Sequence, residues 1–274
     1  MVAEVHTRPP RTLPAKLLDP NKLMRRLPRP SLHSTVAVLA PVILMGLLAL
    51  GWEWVAKNRT SVLPTLGAVF TDLVDRPAFY REHLGYTLST ALIGFVIGIV
   101  VAIVLAIVVV HVPLLHAAIM PIAVLVHATP IVAVAPALVV AFGFGTTPHL
   151  IVVALMVFFP MLINAITGFK AVPDDMMEVF RSMAASKADI FWRLRLPISA
   201  TYLFAAARTC VTLAMIGAVV SEFHGANQGL GATIVQAMTY LNLPQMWGAI
   251  AISALVSLGL LGAVGLLEKV VVRW

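Results

Sequence analysis

The sequence has very few charged residues. Only 11% of its 274 residues are Asp, Glu, Lys or Arg, whereas a soluble globular domain carries about 25%, and 60% of the residues are hydrophobic. The sequence also has a single cysteine, Cys210, which excludes an intrachain disulfide framework and a zinc site built from several cysteines. These features argue against a soluble globular enzyme, a disordered chain and a fibrous protein.

Charge is absent from three long runs of the sequence. Residues 30–52, 83–169 and 223–267 contain no formal charge, which makes runs of 23, 87 and 45 residues. A helix needs about 20 apolar residues to cross a bilayer. The pattern therefore predicts an all-α, polytopic membrane protein, and it does not fit strands that alternate over ~10 residues.

The apolar runs and the turn-forming residues between them predict about six transmembrane helices. Three prolines in the third span, Pro121, Pro130 and Pro136, predict that it is kinked or broken. Turns are expected at residues 111–113 and 143–148, which contain Pro or Gly. The predicted spans are residues 35–50, 86–110, 114–142, 149–169, 199–220 and 246–272.

The positions of the few cations predict which ends of these helices face the cytoplasm. The segment before the first span carries seven Lys or Arg and residues 170–197 carry five, whereas residues 143–148 and 223–245 carry none. By the positive-inside rule, both termini and the 170–197 segment are then cytoplasmic. This topology, with attraction to anionic membrane lipid, explains the net charge of +7 without nucleic acid as a partner.

The sequence is predicted to divide into three parts. Residues 1–34 are expected to form a flexible, basic, proline-rich cytoplasmic tail, because they lack the continuous apolar core of a cleavable signal peptide. Residues 35–85 contain the first transmembrane helix and an outer loop. Residues 86–274 form the core of the protein, with the cytoplasmic segment 170–197 inside it.

The segment 170–197 is predicted to form two short amphipathic helices. The first begins after Pro173 with two acids, which suits the positive end of the helix dipole. Residues 184–186 predict a tight turn, and Pro197 predicts the end of the second helix at the membrane. Apolar residues recur every three to four positions in the first helix, at Met176, Val179, Phe180 and Met183.

The residue spacing in this segment resembles the EAA loop of bacterial ABC importer permeases. In that pattern Glu-Ala-Ala is followed by three residues, Gly, nine residues, Ile, any residue and Leu-Pro. The corresponding residues here are Glu178, Ala184, Leu194, Leu196 and Pro197, without a gap. We call residues 170–197 the coupling loop, because the resemblance implies that it docks into a cleft on an ATPase subunit.

The coupling loop departs from the family pattern at two places. Val179 and Phe180 stand where the family has two alanines, and Ala184 stands where it has glycine. The second departure predicts either a less open bend or a helix that continues through it. The alternative is a plain amphipathic segment that lies on the membrane. The resemblance implies coupling roles for Glu178, Arg181, Ala184, Ser186, Leu194, Leu196 and Pro197.

Further resemblance follows the coupling loop. An arginine, Arg208, lies eleven residues after Pro197, and residues 221–231 read Ser-Glu-Phe-His-Gly-Ala-Asn-Gln-Gly-Leu-Gly. Together with the Leu-Pro-Thr at residues 63–65, they resemble the nitrate, sulfonate, taurine and bicarbonate branch of type I ABC importer permeases, over about residues 60–274. Ser221 replaces the alanine of that branch. The branch also includes permeases for aromatic and pyrimidine-like compounds, so it does not fix the substrate.

The resemblance implies a fold, a function and a set of partners. It implies the type I ABC importer permease fold in a bacterial cytoplasmic (inner) membrane. The implied partners are two ABC ATPase subunits, a second copy of the permease in a homodimer, and a periplasmic or lipid-anchored substrate-binding protein. A small anion is the first choice of solute, and an aromatic or pyrimidine-like compound is the second.

No enzymatic activity, cofactor or metal is expected in the chain itself. The sequence has no G-x-x-x-x-G-K-[ST] segment, which is the phosphate-binding loop of many ATPases. ATP and Mg are therefore expected in the partner ATPase. The expected mechanism is alternating access, in which ATP closes the ATPase dimer and the coupling loops carry that motion to the transmembrane helices.

Polar residues within the spans are the candidates for the transport pathway, because a lone polar group that faces lipid is unfavourable. Hydrogen bonds between helices are the ordinary role for such residues, and a structural ion pair is the ordinary role for Arg208. The pathway candidates are His127, Thr129, Asn164, Arg208 and Thr212. The candidates for an outer loop that contacts the binding protein are Glu222, Asn227, Gly229 and Gly231.

Two other classes of protein remain as alternatives. A proton- or sodium-coupled secondary transporter would use His127 and Glu222 as titrating groups. The sequence lacks intramembrane Asp or Glu pairs and a signal of inverted repeats, which argues against that class. A membrane scaffold without transport activity would leave the residue spacing of the coupling loop unexplained.

Overall fold

The computed structural model describes residues 32–58 and 63–272, and all regular secondary structure in this part of the chain is helical. Most of the tail predicted at residues 1–34 lies outside the described residues, as does the side chain of His127. The chain forms two compact units, Met1–Trp54 and Val55–Trp274. The first contributes most of the apolar helix α1 (Leu32–Asn58).

The second unit contains the remaining helices. Together with α1, three of them (α3, α6 and α11) and the continuous helix Lys187–Glu222 are long and apolar enough to cross a membrane. A π-helical turn, Phe191–Arg195, joins α8 to α9 within that continuous helix. The helices are α2 (Leu66–Asp75), α3 (Pro77–His111), α4 (Pro113–Ala128), α5 (Ile131–Phe142), α6 (Thr146–Lys170), α7 (Asp174–Ser182), α8 (Lys187–Ile190), α9 (Leu196–Glu222), α10 (Leu230–Thr239) and α11 (Leu243–Val271).

The third predicted span is broken, as its prolines indicated. It consists of α4 and α5, and the break falls at Thr129 and Pro130. Thr129 has an extended backbone because a proline disfavours the helical conformation of the residue before it. The turn predicted at residues 111–113 is also present, since α3 ends at His111 and α4 begins at Pro113.

Three predicted loops are shorter than expected. The predicted outer loop at 53–85 contains α2 and the first turns of α3, and the predicted loop at 223–245 contains α10. The predicted loop at 143–148 is reduced to three residues, because α6 begins at Thr146. The start of α3 was not predicted because residues 72–82 include charges and do not belong to an apolar run. A helix can extend beyond the apolar layer of the membrane, and α3 does so.

The prediction that Pro197 ends the second helix of the coupling loop was wrong. The helix continues from Lys187 to Glu222, and Pro197 lies in the first turn of α9. The π-helical turn Phe191–Arg195 directly precedes it. A π-helical turn changes the local hydrogen-bond pattern, and this lets the chain accommodate a residue that has no backbone N–H.

The core of the second unit is formed by α3, α6 and α9. Gly94 and Gly98 on α3 face α6, where a Cβ added to Gly94 would lie 2.6 Å from Val153 Cβ and one added to Gly98 would lie 2.7 Å from the Ala154 carbonyl oxygen. Small residues at this spacing let two helix backbones approach closely. The G-x-x-x-G pair in α3 therefore acts within the subunit.

The helix directions define two ends of this bundle. The His111 ring at the end of α3 lies 5.9 Å from the Phe191 ring before α9, and we call this the loop end. At the opposite end, which we call the distal end, the start of α3 meets the end of α9 through Thr87 and Glu222. The coupling loop and α10 therefore lie at opposite ends of the bundle.

Candidate functional site

The first helix of the coupling loop presents an apolar stripe to its surroundings. Met176, Val179 and Met183 are 50%, 55% and 74% exposed, and their spacing places them along one face of α7 and of its C-cap residue, Met183. No residue of α7 is buried. The stripe is therefore available to a partner and is not needed for packing within the described part of the chain.

The tight turn predicted after α7 is present and carries backbone strain. The helix ends at Ser182, and Ala184 has a φ of 54°, which lies in the left-handed region that glycine adopts most easily. The Ala184 amide donates to the Arg181 carbonyl at 2.9 Å, and the Ala185 amide donates to the Phe180 carbonyl at 3.1 Å. The chain therefore turns at this position even though alanine replaces the family glycine.

Replacing Ala184 with glycine is expected to stabilise the turn. A left-handed alanine costs about 1 kcal/mol more than glycine, so amide hydrogen exchange at residues 184–190 should slow about fivefold in Ala184→Gly. The matched control is Ala185→Gly, because Ala185 has no positive φ and added glycine entropy should accelerate exchange there. Equal effects of the two changes would contradict a strained Ala184.

The second half of the coupling loop joins it to the bundle. Ser186 caps α8 by accepting the Asp189 amide at 3.1 Å. Phe191 and Leu194 are buried, and the Phe191 ring lies 5.4 Å from that of Phe169 in α6. The coupling candidates thus fall into an exposed group (Glu178, Arg181, Ala184 and Ser186) and a buried or half-buried group (Leu194, Leu196 and Pro197).

Three of the pathway candidates bond to backbone carbonyls three or four residues earlier in the chain. Their side chains satisfy local backbone acceptors, as Ser and Thr often do in helices, and the structure does not bring them together around one cavity. The bonds are Thr129 Oγ1 to the Leu125 carbonyl at 3.2 Å, Asn164 Nδ2 to the Pro160 carbonyl at 2.8 Å, and Thr212 Oγ1 to the Thr209 carbonyl at 2.7 Å.

Arg208 forms the kind of structural ion pair expected as its ordinary role, with a partner that the sequence did not identify. Its Nη2 lies 2.7 Å from Glu268 Oε2, so the pair links α9 to α11. Arg208 and Lys269 also line a groove of about 430 Å³ beside α11. A partner close to the positive charge is what an arginine within a candidate membrane-spanning helix requires.

A buried carboxylate organises the distal end of the bundle. Glu222 is 1% exposed, and its Oε2 accepts from Thr87 Oγ1 at 2.9 Å and from the Gly231 amide at 2.8 Å. An acidic group at this place also suits the positive end of the α10 dipole. Glu222 therefore connects α3, α9 and α10.

Two further side chains complete the start of α10. Thr87 Oγ1 accepts from the Leu230 amide at 2.8 Å, and His83 Nδ1 accepts from the Gly229 amide at 3.0 Å. The first amides of a helix have no partner within the helix, and here three in succession bond to side chains of α3 and α9. We call His83, Thr87, Glu222 and residues 229–231 the Glu222 cluster.

The glycines of this cluster are required by its geometry. Gly229 has a φ of 111°, and a Cβ there would overlap the carboxylate of Glu222. A Cβ on Gly231 would overlap the carbonyl oxygen of Val219. The Gly-Leu-Gly sequence thus lets the backbone of α10 pack directly against the end of α9.

The structure corrects the prediction for the outer loop. Glu222, Gly229 and Gly231 are buried, so they do not present a surface to a binding protein, and only Asn227 of the four is exposed. Asn227 lines an open cavity of about 380 Å³ together with Phe144. The end of the apolar run near Ser221 suggested an exposed loop, because nothing in the sequence indicated that the chain folds back onto α9.

Sequence reasoning missed the residues that hold the distal end together. His83 and Thr87 are four residues apart at the start of a long apolar run, and this spacing was the available signal. A second polar network joins Asp72, Arg76 and Tyr80, and Arg76 donates to Gln245 Oε1 at 3.1 Å. Among the described residues, no group of three or more His, Cys, Asp or Glu could hold a metal ion.

Several solved structures share this architecture and define the class of fold. A solved structure of the MetNI methionine ABC transporter, titled as an inward-facing conformation, matches with a TM-score of 0.59 at 19% identity. The match covers 71% of this chain and 94% of that one. Its level of identity supports the fold alone, and the fold is that of type I ABC importer permeases.

The family model for the binding-protein-dependent transport system inner membrane component matches residues 94–273. The chain therefore belongs to this family of membrane permeases. The riboflavin transport system permease protein RibX of Chloroflexus aurantiacus is 41% identical over 193 residues, which is 70% of this chain and 72% of that protein. The formylaminopyrimidine transport permease protein ThiX of Halalkalibacterium halodurans is 31% identical over 241 residues, 86% and 96% of the two chains.

A more distant relative has a different kind of solute in its name. The taurine transport system permease protein TauC of Escherichia coli is 26% identical over 145 residues, which is 53% of each chain. These relatives confirm the resemblance to ABC importer permeases that the coupling loop and residues 221–231 indicated.

Proposed function

We propose that this permease is the membrane subunit of an ATP-driven importer for a small heterocyclic compound. It works in a bacterial cytoplasmic membrane as a homodimer, with two ATPase subunits and a substrate-binding protein. The observation that carries the proposal is the coupling loop, which holds the EAA register from Glu178 to Pro197 and exposes an apolar stripe at one end of the bundle.

Motion of the coupling loop has a direct route into the transmembrane bundle. The helix from Lys187 runs without interruption into α9, and Phe191 packs beside Phe169 of α6. Displacement of α7 by a closing ATPase dimer would therefore tilt α9 and α6 together. ATP and Mg bind to the ATPase subunits in this mechanism, and the permease changes which side of the membrane its pathway faces.

The relatives support a ring-containing solute over a small inorganic or sulfonate anion. The riboflavin and formylaminopyrimidine permeases match more of this chain, at 41% and 31% identity, than the taurine permease does at 26%. The ion pair of Arg208 with Glu268 points the same way, because a cation that already has an acidic partner attracts a small anion less strongly. Arg208 remains the pathway candidate with the best support, since it lines a groove.

Uptake by reconstituted vesicles tests the proposal. With this chain, its ATPase and its loaded binding protein, we expect ATP to drive uptake of riboflavin or a pyrimidine, and expect taurine to fail. A non-hydrolysable ATP analogue is the control and should abolish uptake. Uptake that follows a pH gradient without ATP would instead support a secondary transporter, and ATP-driven uptake of taurine alone would overturn the proposed solute class.

A further inference from the structure

A pocket lined by cations lies at the loop end of the bundle, between the end of α3 and the coupling loop. Its volume is about 290 Å³. Arg181 of α7, Lys187 of α8 and Arg195 of the π-helical turn line it, and His111 lines it from α3. We call this cavity the basic pocket.

Within the described part of the chain, no acidic side chain neutralises the positive charges of the basic pocket. No acidic side chain lines it, and Arg181, Lys187 and Arg195 form no ion pair within residues 32–58 and 63–272. The charges of Arg181 and Arg195 act unfavourably on one another. Cations that converge on one cavity raise its positive potential, and an anion in the cavity would lower the electrostatic energy.

Neighbouring charges in the same segment are arranged differently. Arg193 lies between Lys187 and Arg195 in the sequence, yet it points to Asp189, with Nε 3.4 Å from Oδ1. Arg193 does not line the pocket. The basic pocket therefore forms because Lys187 and Arg195 face α3, whereas Arg193 does not. The basic composition of the coupling loop alone does not explain the pocket.

The composition of the walls favours a phosphate group. Arginine presents a planar fork of donors that matches phosphate oxygens, and two arginines and a lysine can satisfy several of them together. Apart from His111, the remaining walls come from half-buried apolar residues, which weaken screening by water on that side and so strengthen charge interactions. A cavity of about 290 Å³ also exceeds what a single halide ion needs. The apolar lining residues are Val110, Met177 and Ile190.

We propose that the basic pocket binds a phosphate-bearing anion, either the headgroup of an anionic phospholipid or a free phosphate compound. The occupant would contact α3 on one side and both helices of the coupling loop on the other. It would therefore hold the coupling loop against the bundle. This consequence for coupling depends on the proposed function, whereas the binding itself does not.

Binding is tested on the purified full-length permease without its partners, so that failure of transport cannot be mistaken for failure of binding. One sample contains phosphatidylcholine nanodiscs and is titrated with pyrophosphate at constant ionic strength, and the other contains nanodiscs with added phosphatidylglycerol. We expect a saturable rise in the thermal unfolding midpoint. In Lys187→Gln and Arg195→Gln the apparent affinity should fall about tenfold, as expected for one lost charge-assisted hydrogen bond.

The matched control is Arg193→Gln, which removes the same charge from the same segment outside the pocket and should leave the affinity unchanged. If the unfolding midpoint rises with pyrophosphate alone, the occupant is a free anion. If it rises with phosphatidylglycerol alone, the occupant is a lipid headgroup. Either result, or a rise in both samples, supports the proposal. No rise in either sample would overturn it. So would equal changes of affinity in Arg193→Gln and Arg195→Gln, or an unchanged affinity in both Lys187→Gln and Arg195→Gln.

Discussion

Replacing Gly231 with alanine is expected to destabilise the folded permease by about 3 kcal/mol, from overpacking together with a disrupted buried hydrogen bond. The added Cβ would overlap the Val219 carbonyl oxygen, which is a backbone atom and cannot rotate away. The start of α10 would have to move, and the bond from the Gly231 amide to Glu222 would lengthen or break. The thermal unfolding midpoint in detergent and the monodisperse yield measure this loss.

Two further variants separate this effect from a general intolerance of alanine. Gly229→Ala should lower the unfolding midpoint at least as much. Gly229 has a φ of 111°, and an added Cβ would also overlap the carboxylate of Glu222. Gly85→Ala is the control, since Gly85 lies in α3 with no atom within 4 Å of an added Cβ, and alanine favours a helix. An unfolding midpoint of Gly231→Ala close to that of Gly85→Ala would show that α10 is not packed against α9 as described.

The Glu222 cluster shows what cannot be predicted from local patterns. Its bonds join residues that are 135, 143 and 146 positions apart, and a glutamate after an apolar run is equally consistent with an exposed loop. Burial of the carboxylate depends on α10 folding back against α9. That placement depends on tertiary packing, so the sequence placed Glu222, Gly229 and Gly231 in one outer loop but did not indicate that the glycines surround the carboxylate.

Features that depend on covalent chemistry or on charge were predictable. The break in the third span follows from Pro130, which acts on the residue before it regardless of the fold. The absence of charge located the interiors of the long helices, because charge inside a bilayer is unfavourable. The same criterion failed at the ends of the helices, where α3 starts at Pro77 and includes charged residues beyond the apolar run.

The coupling loop lies between these two cases. Its register located the turn at Ala184, but the sequence left open whether alanine in place of glycine would let the helix continue. The backbone bonds that close the turn keep Ala184 at a φ of 54°. The sequence also did not show that Arg181, Lys187 and Arg195 line one cavity, because α7 and α8 are separated by a turn whose geometry sets their relative directions.

Introducing charge into the apolar stripe of α7 is expected to prevent capture of the ATPase while leaving the permease folded. In the double variant Val179→Asp/Met183→Asp, both altered side chains are largely exposed and α7 has no buried residue, so the unfolding midpoint should not change. Burial of an apolar side chain contributes about 1.5–3 kcal/mol. Loss of two such contacts should reduce ATPase co-purification by at least about tenfold.

Met238→Asp is the matched control for this effect, because Met238 is 58% exposed on α10 at the distal end of the bundle. It introduces one negative charge, against two in the α7 variant, on an exposed helix and should leave ATPase capture unchanged. If Val179→Asp/Met183→Asp captured the ATPase as well as Met238→Asp does, the stripe would not be the docking surface, although the EAA register would remain. If both variants lost the ATPase, added negative charge would weaken assembly regardless of position. Only selective loss in the α7 variant ties ATPase docking to this stripe.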